Sequence, residues 1–265
     1  MAMRGSLDSV KMISGPNDRG TLAEVFRNQG RALAEIGTTI SQSSVERGRL
    51  PMKCVAVSDI HLRAVRTPPA DLLIVSGDMT MKGTPSEMRW FSDWLKRQPQ
   101  THKVWIAGNH ELGLEDTPEM AQRIAKETKS IYLNDSEVEI DGVRIWGSPI
   151  TPWFYDWAFN RQRGSEIRKH WDQIPAGIDI LITHGPPYRY HDLNRSAEHV
   201  GCEELEDVVM NKLSKPPRFH VFGHIHLGYG RSIAVRKDHQ TIEMINASSC
   251  NERYLPVNEP VEFEV

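Results

Sequence analysis

Residues 219–230 read FHVFGHIHLGYG: an apolar run of strand length, then two histidines one residue apart between glycines. In an extended segment, side chains i and i+2 point the same way, so His224 and His226 are expected to present two imidazoles to one spot. Gly223 and Gly228 lack a Cβ, which leaves the backbone free to crowd whatever is gripped. Taken alone, the stretch fits a ligand pair and two surface histidines on a turn equally well, because an HxH is common. The other apolar runs of the chain decide between these readings.

Four further runs have the same character: KCVAVS (53–58), DLLIVS (71–76), KVWIAG (103–108) and IDILIT (178–183). Continuous apolar runs bounded by turn residues read as strands covered on both faces. Between the second and third lies TPSEMRWFSDWLKRQP (84–99), where Thr84 caps a helix, Pro85 suits its first turn and Glu87 completes a capping box. Met88, Phe91, Trp94 and Leu95 fall at helical spacing, so the stretch closes a β-α-β unit with a right-handed crossover. More helices are expected at about 117–129, 164–172 and 202–213, and SEVEIDGVRIWGSP (136–149) predicts a hairpin turning at Asp141-Gly142. The coarse expectation is a layered α/β domain with a mixed sheet.

The chain has 265 residues, 39% of them apolar, enough for one sizeable core. Residues 51–265 read as that single domain. Residues 1–50 are rich in Gly, Ser, Asn, Gln and Arg and read as a loosely attached leader upstream of an alternative start at Met52, with a short helix around residues 21–37. Asp8, Asp18, Glu24 and Glu35 argue against a transit peptide. With 32 basic and 35 acidic residues and a net charge of −3, no overall field attracts nucleic acid or an anionic membrane. No apolar run approaches the roughly 20 residues of a spanning helix. Three cysteines without a CxxC suggest neither a disulfide framework nor a thiolate zinc site, so a reducing cytoplasm is expected. Oligomeric state is left open.

Every strand-like run ends in metal-competent side chains: Asp59 and His61, then Asp78, then Asn109, His110 and Glu111, then His184, then His224 and His226. Ligands of α/β sheets sit at the carboxyl ends of strands, so these groups can converge on one crevice. Such a set exceeds one tetrahedral ion and suffices for two ions sharing a carboxylate, about 3.5 to 4 Å apart, the usual clamp for displacement at phosphorus. Nitrogen and oxygen ligands without thiolate suit manganese, iron, zinc or nickel better than calcium.

In chain order the blocks are SDIH (58–61), GD (77–78), GNHE (108–111), THG (183–185) and GHIH (223–226). This series resembles the calcineurin-like metallophosphoesterase superfamily. PSEMRWFSDWL (85–95), IAGNHEL (106–112), IYLNDSEVEIDGVRIWGSPITPWF (131–154), GIDILITHGPPYRYHD (177–192) and VFGHIHLGYG (221–230) resemble, more narrowly, its metallophosphoesterase-domain-containing branch known from animal brain. The resemblance implies an α/β four-layer sandwich, two mixed β-sheets flanked by helices. It also implies a metal-dependent phosphodiesterase acting on small phosphodiesters such as cyclic nucleotides and aryl esters, with two divalent ions, manganese first among them. On that resemblance Asp59, His61 and His226 hold the first ion, Asn109, His184 and His224 the second, and Asp78 bridges. A metal-bridging hydroxide would attack phosphorus in line, and His110 would protonate the leaving group. Asp78 and Asn109 count with His110 as catalytic.

The chain also departs from the superfamily pattern. In Ser/Thr protein phosphatases the second block continues with an aspartate that orients the catalytic histidine and an arginine that grips phosphate, whereas GDMTMKG has Met81 and Lys82 there. That argues against a protein phosphatase and leaves the orienting partner of His110 open. Some brain-type relatives carry glycine at the place of His224, and its retention here favours a working enzyme. The competing readings are a nucleotide-binding scaffold with little turnover and a nuclease, the latter disfavoured by the charge balance.

The remaining candidates read as structural. Glu111 is expected to support the site rather than react. The aromatic patch Trp153, Phe154, Trp157 and Phe159 is expected to pack a loop, with nucleobase stacking as the alternative. Arg161 and Arg163 are taken as solvated or as steering phosphate. His102, His170, His191, His199, His220 and His239 are expected to lie outside the ligand set, and Cys54 and Cys250 to fill the core. Tyr229 is a candidate for closing over the substrate.

Overall fold

The computed structural model describes residues 51–265, so the expected leader and its helix lie outside the described residues. The first half of the described chain runs β1 (Lys53–Val57), β2 (Leu72–Ser76), α1 (Pro85–Lys96), β3 (His102–Ile106), α2 (Leu112–Asp116), α3 (Pro118–Thr128), β4 (Ile131–Tyr132), β5 (Ser136–Ile140) and β6 (Val143–Ser148). The second half runs β7 (Thr151–Pro152), β8 (Asn160–Arg161), α4 (Ser165–Trp171), β9 (Ile180–Thr183), α5 (Glu203–Asp207), β10 (Phe219–Phe222), β11 (Gly230–Val235), β12 (Thr241–Asn246) and β13 (Val261–Glu264).

Instead of one mixed sheet there are two. The first has the order β13-β1-β2-β3-β4, with β1 to β4 parallel and β13 antiparallel at the edge. The second has the order β11-β12-β10-β9-β6-β5, with four central parallel strands and an antiparallel strand at each edge. Period-two alternation builds the layers. Cys54 and Ala56 of β1 face a core shared with Ile180, Ile182 and Val221 of the second sheet. Val55 and Val57, one residue on, face the helical side with Met88, Phe91 and Trp94. On the far side of the second sheet, Leu181 and Phe222 belong to the core that holds Ile167 and Trp171 of α4 and Leu205 of α5. The result is helix, sheet, sheet, helix, the four-layer arrangement that the resemblance implies.

All five expected central strands form, and β2, β9 and β10 are buried along their whole length. Helix α1 has the expected capping box, with Thr84 Oγ1 accepting from Glu87 N–H and the Glu87 carboxylate accepting from Thr84 N–H. Asp141 and Gly142 turn the β5-β6 hairpin with φ of 48° and 78°, the left-handed pair that a two-residue turn requires. The expected helix at 202–213 is α-helical only to Asp207 and then widens to a π-turn over Val208–Lys212. The buried Arg236 guanidinium meets that turn, donating to the carbonyls of Val209 at 2.5 Å and Leu213 at 2.8 Å. Strands β11, β12 and β13 are additions that the sequence reading did not anticipate.

Candidate metal centre

The ligand residues stand on the loops that leave β1, β2, β3, β9 and β10. Asp59, His61, Asp78 and His224 have φ of 50°, 41°, 54° and 67°. Left-handed backbone at non-glycine residues is uncommon and concentrates where a site over-determines it. The loops also press on one another. A Cβ on Gly108 would overlap Asp78 Oδ1, and one on Gly223 would overlap Ser58 Oγ and Asp59 Oδ2. The glycines of the GHIH stretch therefore admit other parts of the chain rather than a ligand, Gly223 admitting Asp59 and Gly228 the carbonyl of His191.

The expectation that His224 and His226 share one spot is corrected. Strand β10 ends at Phe222, the left-handed turn at His224 breaks the extended backbone, and His226 opens a short 3-10 turn. The two imidazoles go to different groups. One group is Asp59, His61 and His226; another is Asp78, His184 and His224; a third, made of His61, Asp78 and His110, links them. Nε2 of His226 lies 3.3 Å from Asp59 Oδ1, and Nε2 of His61 lies 4.0 Å from the same oxygen. Asp78 faces both groups, with Oδ1 3.3 Å from His184 Nε2 and Oδ2 3.9 Å from His61 Nε2. Asn109 Oδ1 lies 3.0 Å from His184 Nε2.

Backbone carbonyls fix the imidazoles. Nδ1 of His61 meets Thr80 O at 3.1 Å, Nδ1 of His184 meets Ser76 O at 2.9 Å and Nδ1 of His226 meets Asn251 O at 3.0 Å. A carbonyl only accepts, so each Nδ1 donates and each ring turns Nε2 inward, the nitrogen that a metal would take in place of a proton. Asp59 Oδ1 is buried without a hydrogen-bond partner, while Oδ2 accepts from Ser248 Oγ at 2.8 Å and His224 N at 2.9 Å. An orphaned carboxylate oxygen among lone-pair nitrogens, with no thiolate, fits a pair of divalent cations.

The partner of His110 that the sequence left open is the carbonyl of Met81, which accepts from Nδ1 at 2.7 Å. His110 Nε2 lies 3.8 Å from Asp78 Oδ2. The Trp157 ring packs against the His110 ring at 4.4 Å between centroids.

Glu111 supports the loops. Its Oε2 accepts from the N–H groups of Asp78 at 3.0 Å and Gly108 at 2.7 Å, and its Oε1 accepts from Thr80 N at 2.9 Å and Thr80 Oγ1 at 2.8 Å. Burial and the nearby Asp78 push its carboxyl up to about 8, against the pull of the Gly108 and Thr80 donors.

Burial opposes ionisation of Asp59 and Asp78, but the surrounding imidazoles overcome it and hold both carboxyls below the usual range. Burial works against charge on His184 as well, yet Asp78 and Asp59 raise it to about 9. Burial and the neighbouring His184 push His224 down to about 4, which keeps that ring neutral.

A cleft of about 270 Å³ opens over these groups. Phe154, Arg195 and Tyr254 form part of its wall. Tyr254 lies with its ring 4.6 Å from that of His61, and no pattern in the sequence marked it. The aromatic patch divides: Phe159 is buried, Trp157 packs on His110, Phe154 lines the cleft at 38% exposure, and Trp153 is exposed. Tyr229 does not close over the site, because its hydroxyl donates to Glu259 O at 2.9 Å. Arg161 pairs with Glu115, Arg163 donates to the carbonyls of Gly201 and Val200, and neither lines the cleft. The six other histidines stay outside the ligand groups, as expected. A larger groove of about 490 Å³ between α1 and α3 contains no ligand group.

The profile of the family described as "Calcineurin-like phosphoesterase" matches residues 52–228. The chain is 42% identical over 236 residues to "Metallophosphoesterase domain-containing protein 1" of Homo sapiens, and likewise of Mus musculus, covering 80% of this chain and 70% of each relative. It is 35% identical over 261 residues to "UPF0046 protein C25E10.12" of Caenorhabditis elegans, covering 91% of this chain and 89% of that one. A solved crystal structure superposes with a TM-score of 0.54 at 14% identity, over 74% of this chain and 90% of its own, a likeness of fold alone. Paired sheets, imidazoles and carboxylates collected at the strand ends, and a profile spanning all five blocks lead to one assignment: the chain belongs to the calcineurin-like phosphoesterase family.

Proposed function

We propose that this metal-dependent phosphoester hydrolase is a phosphodiesterase for small diesters bearing an aromatic substituent, cyclic nucleotides and aryl phosphodiesters among them, with manganese as its working ion. The observation that carries the reading is the position of Asp78, whose two oxygens face separate imidazole groups. Asp59, His61 and His226 would hold one ion and Asn109, His184 and His224 the other, with Asp78 between them. Two bound divalent ions supply Lewis acidity toward the phosphoryl oxygens and lower the pKa of water.

The chain's own groups supply the rest. His110, with Nδ1 committed to Met81 O, keeps Nε2 for the proton that a departing alkoxide or phenoxide takes up. Phe154 and Tyr254, which line the cleft, offer apolar faces to the aromatic group of a diester. The small cleft and the balanced charge favour a small substrate over nucleic acid.

Chelator-stripped protein, reloaded separately with manganese, zinc or nickel, tests the proposal against an aryl phosphodiester and its monoester. Manganese-dependent turnover that favours the diester is the expected outcome. Preference for the monoester, or no metal-dependent turnover, would overturn it.

A further inference from the structure

The β2 block supplies no cation to the cleft, because neither Met81 nor Lys82 lines it. We infer that Arg195, from the loop between β9 and α5, is the phosphate-anchoring cation of this site, and that Glu252 is the positioning residue that holds it at the rim. This deepens the proposed function by assigning the group that recognises the substrate's phosphoryl oxygens.

Among the described residues, Arg195 is the one cleft-lining side chain with a permanent positive charge. It stands on a loop built to hold it. Asn194 Oδ1 accepts from the N–H groups of Ser196 at 2.9 Å and Glu198 at 3.0 Å, which closes the tip. Leu193 and His199 bridge its stem, and Asp192 Oδ2 accepts from the N–H groups of Arg189 at 2.9 Å and Gly201 at 3.0 Å.

Arg195 Nη2 donates to Glu252 O at 3.1 Å, and Nε pairs with the Glu252 carboxylate. Glu252 follows Asn251, whose carbonyl orients the candidate ligand His226. The guanidinium is thus tied to the chain segment that also fixes the metal group. Its side chain is still 67% exposed and has donors to spare. A guanidinium fork matches two phosphoryl oxygens, and an arriving phosphate can take the place of the Glu252 carboxylate on it.

Arg195→Ala and Arg195→Lys decide the matter in the manganese-loaded full chain, with bound metal counted and inorganic phosphate binding titrated by calorimetry beside diester kinetics. Loss of a charge-assisted hydrogen bond predicts that Arg195→Ala weakens phosphate binding and raises KM by about tenfold or more, with kcat and bound metal little changed. Arg195→Lys, which keeps the charge and loses the fork, is expected to fall between. Phosphate affinity within twofold of wild type in Arg195→Ala would overturn the inference. So would a weakening matched by loss of bound metal, which would make Arg195 a brace for the His226 segment. The phosphate titration needs no turnover, so a failure of the diesterase reading would be seen separately.

Discussion

Nδ1 of His110 lies 2.7 Å from the carbonyl oxygen of Met81, so a peptide group orients this imidazole. The carbonyl fixes the tautomer and turns Nε2 toward the cleft. If His110 supplies the leaving-group proton, His110→Ala lowers kcat by about 10² to 10⁴ with both ions retained. Met81→Ala keeps the carbonyl and is expected to leave kcat within a few-fold. Steady-state kinetics with metal analysis checks both, and equal rates in wild type and His110→Ala would remove His110 from the chemistry.

His224→Gly is expected to fold normally and bind one fewer ion. The φ of 67° at His224 suits glycine better than histidine, so the backbone loses nothing, while the Asp78–His184 group loses a donor. Metal stoichiometry by elemental analysis should fall from two toward one, with diester turnover falling alongside it. A full complement of two ions in the variant would exclude His224 as a ligand.

Glu111→Ala removes the shared acceptor of three buried N–H groups, those of Asp78, Thr80 and Gly108. Each buried donor left unpaired costs about 1–3 kcal/mol, so a loss of at least about 3 kcal/mol is expected in denaturant unfolding of the metal-free protein. Stability within about 1 kcal/mol of wild type would mean that water replaces the carboxylate.

His220 gives the fold an acid sensitivity away from the metal groups. Burial pushes its imidazole down to about 3, and its Nε2 sits 2.8 Å from Thr183 Oγ1. The folded ring stays neutral above about 3, whereas an unfolded histidine takes up a proton below about 6.5. Between those values the unfolded chain holds the extra proton, so stability falls with falling pH by up to about 1.4 kcal/mol per unit. Urea midpoints of metal-free wild type and His220→Gln at pH 7 and pH 5 should show a smaller acid loss in the variant, and parallel losses would count against His220.

Much of this site was legible because its chemistry is carried by residue types at strand ends. Asp59, His61, Asp78, Asn109, His110, His184, His224 and His226 all lie together in the structure. Helix α1 and the Asp141-Gly142 turn were equally legible, since a capping box and a two-residue turn are local and carry their own residue signature. Strand β13 escaped because its pairing is set by a partner far away in the chain, Lys53 lying opposite Glu264.

By itself, then, the amino-acid order determined the central strands, the crossover helix and the set of side chains able to hold metal, because hydrophobic period and ligand type are properties of the residues. Tertiary structure decided how those side chains are used. It divided His224 from His226 by one left-handed residue, gave the orienting of His110 to a carbonyl, packed Trp157 against His110, and brought Tyr254 and Arg195 to the cleft. A carbonyl belongs to every residue, and neighbours from distant loops share no spacing, so neither leaves a mark in the order of amino acids.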